Sequence, residues 1–258
     1  MMQSGKPMVI GVGEVGSALA TVLEATGPVL VHDLEPVDIF EAVSVMHICF
    51  PYFNAEQFKS AVQSYIRKFN PSLVVINSTV VPGTTRELAE ATGASIAYSP
   101  IRGKHVRMAE DLMQYTKFVG ALDPEVTRQA EEHFRSAGMK TAAMDCPESL
   151  ELAKLAETTY FGLQITFAQE LNRFASRVGA NYLETTRFFE EIDFLPRKPY
   201  FPGFIGGHCV IPNINLLQHI ASSSLLRVML ESNELRRSEL AQAKASEANP
   251  NGASHDAE

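Results

Sequence analysis

The chain has 258 residues, 45% of them hydrophobic, enough for one large domain or one domain with a helical annex and too little for two full α/β domains. Its formal charge of −8 opposes nucleic acid or an anionic membrane as partner, because the long-range field would repel both. Three widely spaced cysteines, Cys49, Cys146 and Cys209, show no CxxC pattern, which fits reduced thiols in a cytoplasm and speaks against a zinc site. The segment Met1–Lys6 has no export signal, and no run approaches the roughly 18 apolar residues of a membrane span.

Short β-branched runs alternate with helical patterns through the first half: Met8–Val12, Val29–His32, Val45–Phe50, Leu73–Ile76, Ser95–Tyr98, Lys117–Gly120 and Lys140–Met144. Continuous apolar strands between helices predict a doubly wound parallel sheet of the Rossmann type, covered on both faces, over residues 1–146. An all-helical segment over 147–245 is predicted to follow. Its first helix runs over 148–178, with Leu152, Leu155, Leu163, Phe167, Leu171, Phe174 and Val178 at helical intervals. Tyr160, Phe161 and Ile165 widen that stripe, so a second copy of the chain is expected to cover part of it. A second helix is predicted from Tyr182 to about Ile192 and a last one from about Ile214 to Ala243, leaving 246–258 as a disordered tail.

Gly11, Gly13 and Gly16 lie between a strand and a helix, where backbone N–H groups approach a pyrophosphate, and Glu14 and Val15 fall inside the same turn. Asp33 ends the next strand, 22 residues after Gly11, where a carboxylate accepts both ribose hydroxyls and repels a 2′-phosphate. NAD is therefore expected rather than NADP. A glycine turn that only packs helix on strand is the bland alternative.

Four segments, in order, resemble the UDP-glucose/GDP-mannose dehydrogenase family. They are the phosphate loop, Asn77–Thr85 with Ser99-Pro100, the helix segment Glu151–Glu157, and Gly206-Gly207-His208-Cys209. The resemblance implies NAD-dependent oxidation of a primary alcohol on a sugar- or nucleotide-like substrate, through an aldehyde to an acid. It assigns Cys209 as the nucleophile that forms a thioester, Lys154 to the developing oxyanion, and Ser78 and Thr79 to the nicotinamide side of the site, with Thr79 holding water or the substrate hydroxyl. Gly206 and Gly207 form the turn that meets substrate. Thr158, Ile101 and Asn213 stand where the family has Asn, Glu and Asp, and none of the three can act as a base at neutral pH. Family members carry a second nucleotide-type domain, whereas 45 residues follow Asn213 here. The nucleotide end of a substrate is then expected elsewhere or across a homodimer, and a smaller anionic alcohol serves equally.

Arg102, Lys104 and His105, at the end of a strand, and Arg197, just before the cysteine turn, form basic clusters that would clamp a substrate anion or stand as solvated loops. His208 adjoins the nucleophile, Cys49 reads as core, and Cys146 as an inert thiol with no cation nearby. Glu151 and Glu157, each three residues from Lys154, read as its neutralising partners. Two alternatives remain: a β-hydroxyacid-type dehydrogenase making one two-electron step with Lys154 as acid/base, and a non-catalytic NAD-binding paralogue.

Overall fold

The computed structural model describes residues 5–33, 39–103, 105–189, 200–207 and 209–248. They fall into two compact units, Met1–Lys154 and Leu155–Glu258.

The first unit holds seven strands: β1 (Lys6–Ile10), β2 (Leu30–His32), β3 (Val43–Ile48), β4 (Leu73–Ile76), β5 (Ile96–Tyr98), β6 (Lys117–Ala121) and β7 (Thr141–Met144). Their order in the sheet is β2-β1-β3-β4-β5-β6-β7, with the direction of winding reversing beside β1. Alternation along each strand builds both cores. Val9, Val45, Leu73 and Val75 enter one apolar cluster, while Met8, Ile10, Met46, Ile48, Val74 and Ile76 enter the other. The first is covered by α1 (Glu14–Leu23), α4 (Met108–Gln114) and α5 (Pro124–Ser136), the second by α2 (Ala55–Phe69) and α3 (Thr84–Thr92). Burial on both faces explains why these strands read as unbroken apolar runs.

One pairing departs from the expected parallel sheet. β5 and β6 are antiparallel, with Ala97 opposite Ala121, whereas β6 and β7 are again parallel. The seven-residue α4 provides only about 10 Å of helix between them and packs on α1, too little for a return along the sheet.

The long helix predicted over 148–178 is present as α6 (Pro147–Val178), and the division between the units falls within it. The second unit continues with α7 (Tyr182–Arg187), α8 (Val210–Ile220) and α9 (Ser224–Ala248). The single last helix expected from Ile214 to Ala243 is two helices. Ala221 is extended at φ −156° and ψ 141°, and Ser223 Oγ accepts from Leu226 N at 3.5 Å, so the serine run ends one helix and starts the next. α7 ends at Arg187, with Phe188 as its C-cap, short of the expected Ile192, and α9 continues to Ala248, into the tail expected from 246; residues 190–199 and 249–258 lie outside the described residues. Ile205, Val210, Ile214, Leu226 and Met229 form the core of this unit, joined by Leu163 and Ile165 of α6. Gly162 allows α6 and α8 to meet, because a Cβ there would stand 2.5 Å from Val210 Cγ1.

Candidate functional site

The phosphate-loop residues come together at the carboxyl ends of β1 and β3. Gly11 has φ +88°, and a Cβ on it would lie 2.8 Å from Phe50 N, so the turn accepts no side chain there. At Gly16 a Cβ would be 1.8 Å from Gly11 O, which sets how closely α1 approaches β1. Gly13, the N-cap of α1, differs: its Cβ would meet nothing within 4 Å. That open space over a helix N-terminus leaves room for a pyrophosphate, while Gly11 and Gly16 serve the packing of the turn. Val12 N donates to Asp33 Oδ2 at 3.1 Å, which brings the ribose carboxylate candidate against the loop. Glu14 is exposed on the first turn of α1, and Val15 packs on the core.

Ser78 lies in the same crevice with its hydroxyl turned to the frame: Oγ donates to Phe50 O at 2.6 Å and to Ile48 O at 3.2 Å, tying the loops after β3 and β4. Thr79 is half-buried beside it. Beyond Thr79, Gly83 and Thr85 begin α3, and their backbone N–H groups donate to Glu151 at 2.7 and 2.9 Å. Thr85 Oγ1 adds a third bond at 2.6 Å. Glu151 therefore caps a neighbouring helix, a role different from the expected neutralisation of Lys154; burial, opposed by these bonds, raises its pKa.

A basic edge follows β5. Arg102 donates to Thr116 O at 2.6 Å and stacks 5.0 Å over Phe118, so its guanidinium braces the loop expected to clamp an anion. Lys104 and the side chain of His105 lie outside the described residues, as do Arg197 and His208. Lys117, which pattern reading passed over as a strand residue, is 4% exposed and donates to Ser99 O at 2.7 Å and Pro100 O at 3.3 Å. Burial brings its ammonium down to about 7; the field of Cys49 opposes this, while Arg102 and Lys154 add to it. Lys154, half-buried on α6, thus shares an electrostatic neighbourhood with Arg102 and Lys117. Burial pushes the Cys49 thiol up to about 12, in keeping with a core residue. Cys146 differs from expectation: Ser149 Oγ is 3.1 Å from its Sγ, and its field reaches Arg86.

In the second unit Gly206, Gly207, Cys209 and Asn213 form one local structure. Cys209 is exposed and is the N-cap of α8. Asn213, one turn on, is buried, and its N–H donates to Cys209 O at 3.2 Å. Thr158 is half-buried on α6, one turn after Lys154. Two residues that sequence reading missed hold the turn: Gln169 Nε2 donates to Gly203 O at 2.7 Å, and Asn233 bonds both backbone groups of Ile205. Their partners are 28 to 34 residues away, so no local spacing marks them. Among the described residues no cluster of three or more His, Cys, Asp or Glu has the arrangement of a metal site, and no helix is long and apolar enough to cross a membrane.

A UDP-N-acetyl-D-mannosamine dehydrogenase from Pyrococcus horikoshii is 28% identical over 177 residues, which is 63% of this chain and 42% of that protein. The chain spans about two fifths of the length of such curated relatives. A solved structure of UDP-D-ManNAc dehydrogenase from Pyrococcus horikoshii superposes with a TM-score of 0.81 at 21% identity, covering 95% of this chain and 72% of that one. The 3-hydroxyisobutyrate dehydrogenase of Mycobacterium tuberculosis has the same fold, with a TM-score of 0.70 at 16% identity over 93% and 94% of the two chains. Residues 148–235, which include Lys154 and Cys209, match the model of the central domain of the UDP-glucose/GDP-mannose dehydrogenase family.

Proposed function

We propose that the chain oxidises a primary alcohol on an anionic, sugar- or nucleotide-like substrate with NAD, by way of the aldehyde and a Cys209 thioester to the acid. The observation that carries this reading is an exposed thiol at the start of α8, behind a glycine turn held from two helices, within the family's central domain. NAD, when bound, would supply the hydride acceptor for both oxidations, one NAD for each.

Gly11, Gly13 and Gly16 would hold the pyrophosphate and Asp33 the adenosine ribose. Ser78 keeps the crevice open to the nicotinamide by tying its two walls, and Thr79 would orient the substrate hydroxyl. Lys154 would stabilise the alkoxide at each stage. Cys209 adds as thiolate to the aldehyde carbon, and the positive end of α8 favours negative charge at that place. Loss of hydride leaves the thioester; water then breaks its C–S bond, returning the thiol and giving the carboxylate. Thr158 and Asn213 would orient that water. One alcohol and one water thus yield one acid, with two NAD reduced.

The relatives' name points to UDP-N-acetyl-D-mannosamine as a first substrate to try. A homodimer through α6 belongs to the same reading, supported by the exposed Tyr160, Phe161, Phe167, Phe174 and Val178. The fold match over nearly the whole 3-hydroxyisobutyrate dehydrogenase chain keeps the one-step reaction as a second reading.

The test is the yield of NADH per molecule of UDP-N-acetyl-D-mannosamine, UDP-glucose or GDP-mannose consumed, in the wild type and in Cys209→Ser. Two per substrate, falling to one or fewer in the variant, is expected. One per substrate in both selects the β-hydroxyacid-type reaction, and none with any substrate selects the binding paralogue.

A further inference from the structure

The residues that hold the turn ahead of Cys209 form a connected set. Asn233 of α9 is 6% exposed; its Oδ1 accepts from Ile205 N at 2.7 Å and its Nδ2 donates to Ile205 O at 3.1 Å. One side-chain amide thereby satisfies both backbone groups of a residue that belongs to no helix or strand. Gln169 of α6 is fully buried, donates to Gly203 O at 2.7 Å and to Asn233 Oδ1 at 3.3 Å, and accepts at Oε1 from Ser232 Oγ at 3.0 Å. The neighbouring bonds fix the direction of both amides. Arg173 donates to Ser232 O at 3.0 Å and pairs with Glu239 at 2.8 Å, joining α6 to α9 on the same side.

The Ile205 side chain is itself buried against Val210, Ile214, Leu226 and Met229. From there the chain passes through Gly206 and Gly207, the latter at φ +82°, into Cys209. On its far side Cys209 is followed by Val210, seated on Gly162. The chain is thus anchored on both sides of Cys209, at Ile205 and at Val210. Packing alone would be met by apolar side chains; two buried amides carry a desolvation cost, and three of the bonds that offset it run to the backbone of Gly203 and Ile205.

We infer that Asn233, seated by Gln169, is the positioning residue for Cys209, holding the turn over 203–207 so that the thiol stands at the start of α8 in the geometry that attack requires. The chemistry at stake rests on the Cys209 reading above, whereas the positioning is measurable without it. The thiol is already exposed, so loosening the turn gains little access and mainly displaces it from the helix N-terminus.

The test uses the full chain with iodoacetamide as probe, alkylation being followed at Cys209 and Cys146 separately by mass spectrometry. Asn233→Ala is expected to slow Cys209 several-fold and leave Cys146 unchanged, with hydrogen exchange at the Ile205 amide accelerated. Gln169→Met, which keeps the volume, is expected to act in the same direction and covers failure of the first variant to fold. With a substrate that gives two NADH in the wild type, the second hydride step falls about 10- to 100-fold, as ångström-scale misplacement does, while KM stays within about twofold. Folded variants with an unchanged Cys209 alkylation rate overturn the inference. An unaltered NADH yield in Cys209→Ser beside slowed alkylation overturns the thioester chemistry and leaves the positioning standing.

Discussion

Lys117 is a cation kept where water does not reach, and its two carbonyl partners, Ser99 and Pro100, belong to the loop at the ligand edge of the sheet. Its pKa is depressed on folding, from 10.5 to about 7. The contribution to stability is therefore present above the unfolded value and lost as pH falls through the folded one. Wild-type thermal stability is expected to rise between pH 7 and pH 10 by an increment that Lys117→Met lacks, as read by calorimetry across that range. An equal rise in the variant would mean that the ammonium stays charged on its carbonyls. His47 and His133 act in the same direction at lower pH: their Nε2 atoms are 2.9 Å apart, and burial takes His133 to about 4 and His47 well below its usual value. Their neutral pairing is lost as pH falls from about 6.5 toward 4. The residues legible in sequence, Gly11, Gly13, Gly16 and Asp33, owe this to chemistry packed into one βαβ spacing. Lys117, Glu151, Gln169 and Asn233 were not legible, because each acts on backbone 17 to 68 residues away.

At the scale of elements, α3 begins on a left-handed glycine, Gly83, and has no side-chain cap of its own. Glu151, from the first turns of α6, fills that place with three accepted hydrogen bonds. Glu151→Ala is expected to destabilise the fold by at least about 2 kcal/mol, since it strands three buried or half-buried donors, measured by urea unfolding. A loss below about 0.5 kcal/mol would show that water replaces the carboxylate. The Asn77–Thr85 motif thus has a structural half, Gly83 to Thr85, and a crevice half, Ser78 and Thr79. Strand positions were readable from apolar content, because both faces of the sheet are buried. The direction of β6 was not, since side-chain pattern is identical for a strand run either way. The serine run between α8 and α9 escaped notice because neither proline nor glycine marks it.

For the whole molecule, the exposed side chains of α6 matter most. Phe167 is 51% and Phe174 56% exposed, and with Tyr160 they stand seven residues apart along one side of the helix. The native mass by light scattering is expected to be that of two chains, and Phe167→Glu with Phe174→Glu is expected to reduce it to one. A single-chain mass for the wild type would remove α6 as an interface between copies. The match to curated relatives stops at about two fifths of their length, so substrate trials need to compare sugar nucleotides with smaller anionic alcohols.

The interruption at Ala221–Ser223 has a consequence for how this protein is divisible. Its residues are exposed or half-buried, and they separate the helix that starts at the thiol from the helix that bears Asn233. A backbone nick there would leave Cys209 and the Asn233 amide on different fragments, held by noncovalent bonds among α6, α8, α9 and the turn. Reassembly of the two pieces would then report, as a binding constant, the grip that the intact chain exerts on its own thiol.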